Sequence, residues 1–215
     1  MNKLIGIISY LPNNPDIRFT RVEKLTTLIN SCNEIFDLPI LIIAQNWDAS
    51  LISKIAGIKN IKLEFYPKLG IVGARNQLRK SFLNSNYDYL IMLDDDCVLN
   101  GTKEDGLKYK DQLDNNPNMY YEFNKSLLKL FAIHRSIFEK VSFNPNVNPE
   151  SGEGFEDRLF YNTLLKKYPD NHFKFNVDNL KCTSKSTKDE NSTWYTNQNI
   201  KEMLEKTFNL IDHIN

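Results

Sequence analysis

The chain has 215 residues, enough for one domain with a sizeable core, and 41% of them are apolar, which excludes a mainly disordered protein. Its 27 basic residues balance its 27 acidic residues, which disfavours a general binder of nucleic acid or anionic membranes. No apolar run approaches the roughly 20 residues that cross a bilayer. Three widely spaced cysteines without a C-x-x-C motif argue against a disulfide framework or a structural zinc site. We therefore expect a cytoplasmic protein, with peripheral membrane contact left open.

The first hundred residues alternate between strand and helix patterns. Apolar runs predict buried strands at 4–10, 39–44, 61–66 and 87–93. Between them, helices are predicted from an Asp16 cap, over 48–56 and over 71–83. Unbroken apolar strands separated by helices predict an α/β fold with a mainly parallel sheet covered on both faces.

The pattern changes after residue 100. Frequent Gly, Asp and Lys predict a loop over 100–118. The remaining predictions are a strand at 127–133, a helix at 135–141, a turn-rich segment at 144–152, a helix at 156–167 and an amphipathic helix at 199–213. Because no repeat or linker divides the chain, a single domain over residues 1–215 is expected.

An acidic cluster, Asp94-Asp95-Asp96, follows the fourth predicted strand directly. In open parallel sheets, ligands bind beyond the carboxyl ends of the strands. Strand alternation would send Asp94 and Asp96 to one side and Asp95 to the other. Two carboxylates on one side suit a hard cation such as Mg²⁺ or Mn²⁺. A solvated acidic turn is the plain alternative.

Two further segments could contribute to the same site. In Gly70-Ile71-Val72-Gly73-Ala74-Arg75-Asn76, the glycines permit close backbone approach and Arg75 offers a fork for phosphate or carboxylate. Later, a turn with two glycines delivers Glu156 and Asp157 to the start of a helix. Acidic residues are also common there simply because they complement the helix dipole.

Taken together, these segments resemble the GT-A glycosyltransferases, especially inverting family 2 and galactosyltransferase-like relatives. The order and spacing of the segments carry the resemblance, which covers roughly residues 4 to 170. The matching segments are the first strand (5–10), Gly70-x-x-x-Ala74-Arg75-Asn76, Asp94-Asp95-Asp96, residues 131–141 and Glu156-Asp157. The resemblance implies a GT-A-like domain with a Rossmann-like nucleotide-sugar-binding half (1–100) and an acceptor-binding half with a C-terminal helix (101–215).

The resemblance also implies a role for each site residue. Asp96 would bind Mn²⁺ or Mg²⁺ at the nucleotide's phosphates, and Asp94 would share the ion or contact the ribose. The residues assigned to nucleotide-sugar binding are Tyr10, Gln45, Arg75, Asn76, Asp94 and Asp95. Asp157, or else Glu156, would be the general base of an inverting transfer from a nucleotide sugar, a UDP-sugar by default, to a glycan or other hydroxyl acceptor.

Two departures from the family pattern leave positions open. Relatives often carry an Asp after the second strand that reads the base, whereas here Gln45 or Asp48 must substitute. Metal-dependent relatives often add a His ligand after the acidic pair. This chain has Cys182 in that region and His172 nearby, so the third metal ligand is unassigned.

Three alternative functions compete with this interpretation. Asp94 to Leu99 also fits the D-x-D-x-(T/V)-L motif of haloacid dehalogenase phosphatases, with Asp94 as nucleophile, although that motif usually follows a first strand. A nucleotidyltransferase would usually have a basic glycine-rich loop after the first strand, and here no Lys or Arg lies between that strand and Arg18. A non-catalytic nucleotide- or sugar-binding module is the third alternative.

Overall fold

Parallel strands organise the chain, as the alternation of patterns predicts. A computed structural model describes residues 1–123, 129–144 and 155–184. Its strands are β1 (Lys3–Tyr10), β2 (Ile40–Gln45), β3 (Ile61–Tyr66), β4 (Tyr89–Asp94), β5 (Cys97–Asn100), β6 (Tyr120–Phe123), β7 (Phe131–His134), β8 (His172–Phe175) and β9 (Lys181–Ser184). Its α-helices are α1 (Pro15–Ile35), α2 (Ala49–Ile55), α3 (Gly70–Leu83), α4 (Lys103–Asn115), α5 (Arg135–Phe138) and α6 (Phe155–Lys167).

Seven strands form one sheet in the order β3-β2-β1-β4-β7-β6-β8. Strands β1 to β4 run parallel, whereas β7 is antiparallel to both β4 and β6. The carboxyl ends of the parallel strands meet at one edge, where Ile8 lies opposite Asp94 and Tyr10 lies opposite Gln45. A separate antiparallel pair, β5 with β9, follows directly after the acidic cluster.

Apolar side chains on the two faces of the sheet form two core clusters. One face packs against α1 and α4 through residues such as Leu25, Ile29 and Tyr109. The other packs against α3 and α6 through residues such as Leu78 and Phe160. Each large side chain that is fully buried stabilises the fold by roughly 1.5–3 kcal/mol. The two clusters therefore fix α3 and α6 on the same side of the sheet.

The predicted strands and helices of the first half are confirmed, with small shifts at their ends. Asp48, where the second helix is predicted to begin, caps α2 by accepting a hydrogen bond from the Leu51 amide. The predicted Asp16 cap of α1 is wrong. The cap is Asn14, whose side chain accepts from the amides of Asp16 and Ile17, and Pro15 occupies the first helical turn.

The loop predicted over 100–118 is wrong, because α4 lies within it. Thr102 and Asp105 form a capping box at its start, and Tyr109 and Leu113 bury one face of the helix. The polar composition of the segment hides this pattern, because only one narrow stripe of α4 is apolar. Gly106 completes that stripe, since it lets α4 approach the backbone of α1 at Ile35.

Several elements in the second half are shorter than predicted or lie beyond the described residues. The strand predicted at 127–133 is described only as β7, and the helix predicted at 135–141 is the single turn α5. Most of the predicted turn-rich segment at 144–152 and the whole predicted helix at 199–213 fall outside the described residues. Within the described ranges, no helix is long and apolar enough to span a bilayer.

Replacing Gly106 with Ala should destabilise the protein. A Cβ at this position would lie 1.9 Å from the carbonyl oxygen of Ile35, so α1 and α4 would have to separate. Such overpacking costs about 1–3 kcal/mol or more, measurable as a lower urea midpoint. Gly57→Ala is the matched control, because its added Cβ meets nothing within 4 Å. Equal midpoints for the two variants would contradict the close packing of the two helices.

Candidate active site

The site lies at the carboxyl edge of the parallel strands, where β4 ends at Asp94. Arg75 reaches this edge from α3, which begins at Gly70 with a φ of +71°, a conformation that favours glycine. The Arg75 side chain is only 3% exposed, and its Nη2 lies 3.2 Å from Oδ1 of Asp94. A buried guanidinium therefore lies directly beside the first carboxylate of the acidic cluster.

The acidic pair at the start of α6 completes the charge cluster. Arg75 Nη2 lies 2.8 Å from Asp157 Oδ1, and Arg75 Nε lies 3.8 Å from Glu156 Oε1. Three segments that lie far apart in the sequence thus meet at one guanidinium. We call Arg75, Asp94, Glu156 and Asp157 the arginine cluster.

The arginine cluster holds three acidic groups and one basic group, of which Arg75 and Glu156 are the most buried. Burial raises the pKa of Asp157 well above its usual range and raises that of Glu156, although Arg75 opposes both changes. Both carboxylate oxygens of Glu156, Oδ1 of Asp157 and Nε of Arg75 are buried without an aligned hydrogen bond to the described residues. Arg75 is therefore the one cation among these four groups, facing three carboxylates of which Glu156 is the most buried.

Asp95 has different partners from Asp94. Its Oδ2 accepts a hydrogen bond of 2.8 Å from the Ser9 hydroxyl on β1, and Arg21 Nη1 lies 3.9 Å away. Burial raises the pKa of Asp95 to about 6, against the opposing effects of Arg21 and Ser9. Asp95 and Asp96 both lie in the turn between β4 and β5, where strand alternation no longer applies. The predicted alignment of Asp96 with Asp94 therefore stays a prediction.

Tyr10 and Gln45 lie side by side at the same edge, at the ends of β1 and β2. Gln45 is buried, and its Oε1 accepts a hydrogen bond of 2.9 Å from the Leu69 amide just before α3. Asp48, the other candidate for reading the base, caps α2 and pairs with Arg18 at 2.7 Å. Of the two candidates, only Gln45 lies at the strand edge without a role in capping a helix.

Asn76 lies next to Arg75 but is engaged elsewhere. Its Nδ2 donates to the carbonyl of Phe143 at 2.9 Å, and its Oδ1 accepts from the Phe143 amide at 3.0 Å. The Phe143 ring stacks on Phe160 of α6, with centroids 4.0 Å apart. Asn76 thus links α3 to α6, and its predicted contact with the nucleotide stays a prediction.

The arrangement also involves residues that the sequence did not single out. Ser9 could have been found by the same rule that pointed to Asp94, because it lies near the carboxyl end of β1, the parallel strand beside β4. No local signal marks Arg21 or Phe143. Their positions depend on how α1 and the segment before α6 pack against the sheet.

Neither candidate for the third metal ligand lies in the arginine cluster. His172 Nε2 lies 2.9 Å from the Tyr161 hydroxyl, and its ring stacks on Tyr120, on strands beyond β7. Cys182 is buried opposite Leu99 in the β5–β9 pair. Among the described residues, no three His, Cys, Asp or Glu side chains are grouped to hold a metal ion. The side chains of the described residues therefore do not form a complete metal-binding site by themselves.

Comparison with known proteins gives matches in structure but not in sequence: no protein-family model and no curated protein matches the chain. The TarS fragment 1–349 from S. aureus, in complex with UDP, has a TM-score of 0.59 and 14% identity over 83% of this chain and 58% of that one. The mannosyltransferase PcManGT from Pyrobaculum calidifontis, in complex with GDP-Man and Mn²⁺, has a TM-score of 0.57 and 13% identity over 81% and 54%. The chain therefore spans less than two thirds of either relative.

A third similar structure matches along almost its whole length. It is assigned as a glucose-1-phosphate thymidylyltransferase from Bacillus anthracis, with a TM-score of 0.55 and 12% identity over 99% of this chain and 96% of that one. The predicted fold class is confirmed: the chain has a GT-A-like α/β fold, with a mainly parallel sheet flanked by helices.

Proposed function

We propose that this protein is a metal-dependent, inverting glycosyltransferase. It moves a sugar from a nucleoside-diphosphate sugar, a UDP-sugar by default, to a hydroxyl of a glycan or another acceptor. The observation that carries the proposal is the arginine cluster, in which Arg75 joins Asp94 at the strand edge to Glu156 and Asp157 on α6. The GT-A-like fold supports it, and three cysteines without disulfide partners suit a cytoplasmic location.

The donor would lie along the edge formed by Tyr10, Gln45 and the acidic cluster. Mg²⁺ is usually bound by one or two carboxylates while substrate phosphates complete its shell, and Mn²⁺ also favours oxygen ligands. The chemistry of Asp94 and Asp96 fits such an ion, although Asp94 also pairs with Arg75. When bound there, the ion would offset charge on the departing nucleoside diphosphate.

Asp157 is the residue we assign as general base, with Glu156 as the alternative. The ionised carboxylate takes the proton of the acceptor hydroxyl while that oxygen bonds to the anomeric carbon. The bond from this carbon to the diphosphate oxygen breaks, and the nucleoside diphosphate leaves on the opposite face, which inverts the centre. A carboxyl whose pKa is raised by burial is a stronger base than a solvated one, and Arg75 keeps it oriented.

Nucleotidyl transfer is the second candidate function, because the thymidylyltransferase structure matches nearly the whole chain. Such an enzyme would usually have a basic glycine-rich loop after β1. The first arginines after β1 are bonded within the protein instead: Arg18 to Asp48 and to the carbonyls of Pro12 and Asn46, and Arg21 to the Tyr10 carbonyl. These contacts disfavour nucleotidyl transfer. The phosphatase alternative does not fit, since Asp94 follows the fourth strand of a GT-A-like sheet and pairs with Arg75.

The direct test is a screen of nucleotide sugars with Mn²⁺, in which release of the nucleoside diphosphate is measured with and without sugar acceptors. The proposal predicts metal-dependent release from at least one nucleotide sugar. Formation of a nucleotide sugar and pyrophosphate from a nucleoside triphosphate and a sugar phosphate would instead support nucleotidyl transfer. Binding of a nucleotide sugar without any turnover would support a non-catalytic module.

Asp157→Asn should abolish most turnover but keep donor binding. The amide cannot accept the acceptor's proton, and loss of a general base typically lowers kcat by about 10²–10⁴-fold. The measurement is kcat beside the dissociation constant of the donor. Asp170→Asn is the control, because Asp170 is exposed in the turn after α6 and should retain full activity. A larger loss in Glu156→Gln than in Asp157→Asn would transfer the role to Glu156.

The same Asp157→Asn variant should gain stability relative to the wild type as the pH rises. Because the folded-state pKa of Asp157 is raised, the folded protein holds this proton more tightly than the unfolded chain. That contribution is complete below the ordinary pKa of about 4 and is lost as the pH rises towards the folded pKa. Urea unfolding at pH 4 to 8 measures it, and wild-type stability that rises relative to the variant over this range would contradict the pKa shift.

A further inference from the structure

Strand β3 forms one edge of the seven-stranded sheet, because only β2 pairs with it among the described residues. It carries Lys62, whose side chain is 74% exposed, and Phe65, which is 49% exposed. An edge strand with an exposed aromatic side chain is a ready template for pairing with another strand.

The backbone hydrogen bonds of β3 show which of its residues face β2 and which face outward. The carbonyls of Asn60 and Tyr66 accept from amides of the β2 side, at Ile40 and Asn46. In a parallel ladder, alternate residues face alternate neighbours. The even-numbered residues of β3 therefore face β2, and the peptide groups of Ile61, Leu63 and Phe65 point out from the sheet edge.

The outward-pointing peptide groups permit antiparallel pairing of β3 with β3 of a second copy, about a two-fold axis at Leu63. Leu63 would oppose Leu63 of the second copy, and Ile61 would oppose Phe65. All three are outward-facing positions, so each becomes a hydrogen-bonded pair that exchanges two backbone bonds. The pairing would also cover the exposed Phe65 ring with a β-branched side chain, a favourable cross-strand combination.

The charges on the other face of β3 are self-complementary in the same register. Lys62 and Glu64 form an ion pair of 3.0 Å within the strand, and Glu64 also accepts from Ser81 of α3. In the two-fold arrangement, Lys62 of each copy lies opposite Glu64 of the other. These are the non-hydrogen-bonded positions, where opposing side chains approach most closely. A strand centred on any other residue would lose this match.

We propose that β3 is a homodimer interface, at which two copies join their sheets edge to edge by antiparallel pairing about Leu63. The interface is isologous, so the same patch serves both copies. It lies on the far side of β2 and β1 from β4, so it leaves the arginine cluster open. The proposal is independent of the reaction that the site performs.

The test is sedimentation velocity on the full chain across concentrations up to about 500 μM, since a contact smaller than a standard interface is expected to be weak. The wild type should show a reversible monomer–dimer equilibrium. Lys62→Glu should weaken dimerisation by at least about tenfold, because the introduced carboxylate would face Glu64 of the other copy. Lys108→Glu is the control, since Lys108 is an exposed lysine of α4 that also pairs with a glutamate.

Mixing provides a second, more specific result. Glu64→Lys alone should also lose the dimer, whereas an equimolar mixture of Lys62→Glu and Glu64→Lys should form heterodimers, because opposite charges face each other again. A wild type that is monomeric throughout would overturn the proposal. So would equal dimerisation of Lys62→Glu and Lys108→Glu, or two folded charge variants that fail to associate when mixed. If Glu64→Lys does not fold by circular dichroism, the comparison of Lys62→Glu with Lys108→Glu still decides.

Discussion

The buried guanidinium of Arg75 is the constraint on which the site depends. It is 3% exposed, and it contacts carboxylates from β4 and from the first turn of α6. Removing a buried charge partner typically costs about 3–5 kcal/mol, since the opposing charges stay buried. This ionic contact therefore joins the strand edge, α3 and α6 at the site, in addition to the apolar packing between them. The same contact brings the two halves of the chain to one place.

Neighbouring contacts support this arrangement from both sides. Asn76 makes two hydrogen bonds with the backbone of Phe143, and the Phe143 ring stacks on Phe160. These contacts connect α3, which carries Arg75, to α6, which carries the acidic pair. On the other side, Ser9 holds Asp95 and thereby fixes the turn that contains the rest of the acidic cluster. A site built on such elements can hold its charged side chains in place before a ligand binds.

Periodicity and edge position were enough to predict the parallel sheet and the location of the acidic cluster, because both depend on local pattern. The meeting of Asp94 with Asp157 could be expected only from the family resemblance, since no local rule links residues so far apart. Helix α4 was missed because its capping box at Thr102 lies in a polar segment with a narrow apolar stripe. His172 has a hydrogen-bond partner in Tyr161, a pairing that only the packing of α6 against β8 reveals.

The central claim is that the edge beside Arg75 binds a nucleoside diphosphate together with a divalent cation. Isothermal titration of the wild type with UDP and with GDP, each with and without Mn²⁺, measures this directly. The account predicts saturable binding of at least one of them that requires Mn²⁺ and is lost in Asp96→Asn. Absence of binding by either nucleotide in the presence of Mn²⁺, with the protein shown to be folded, would contradict it.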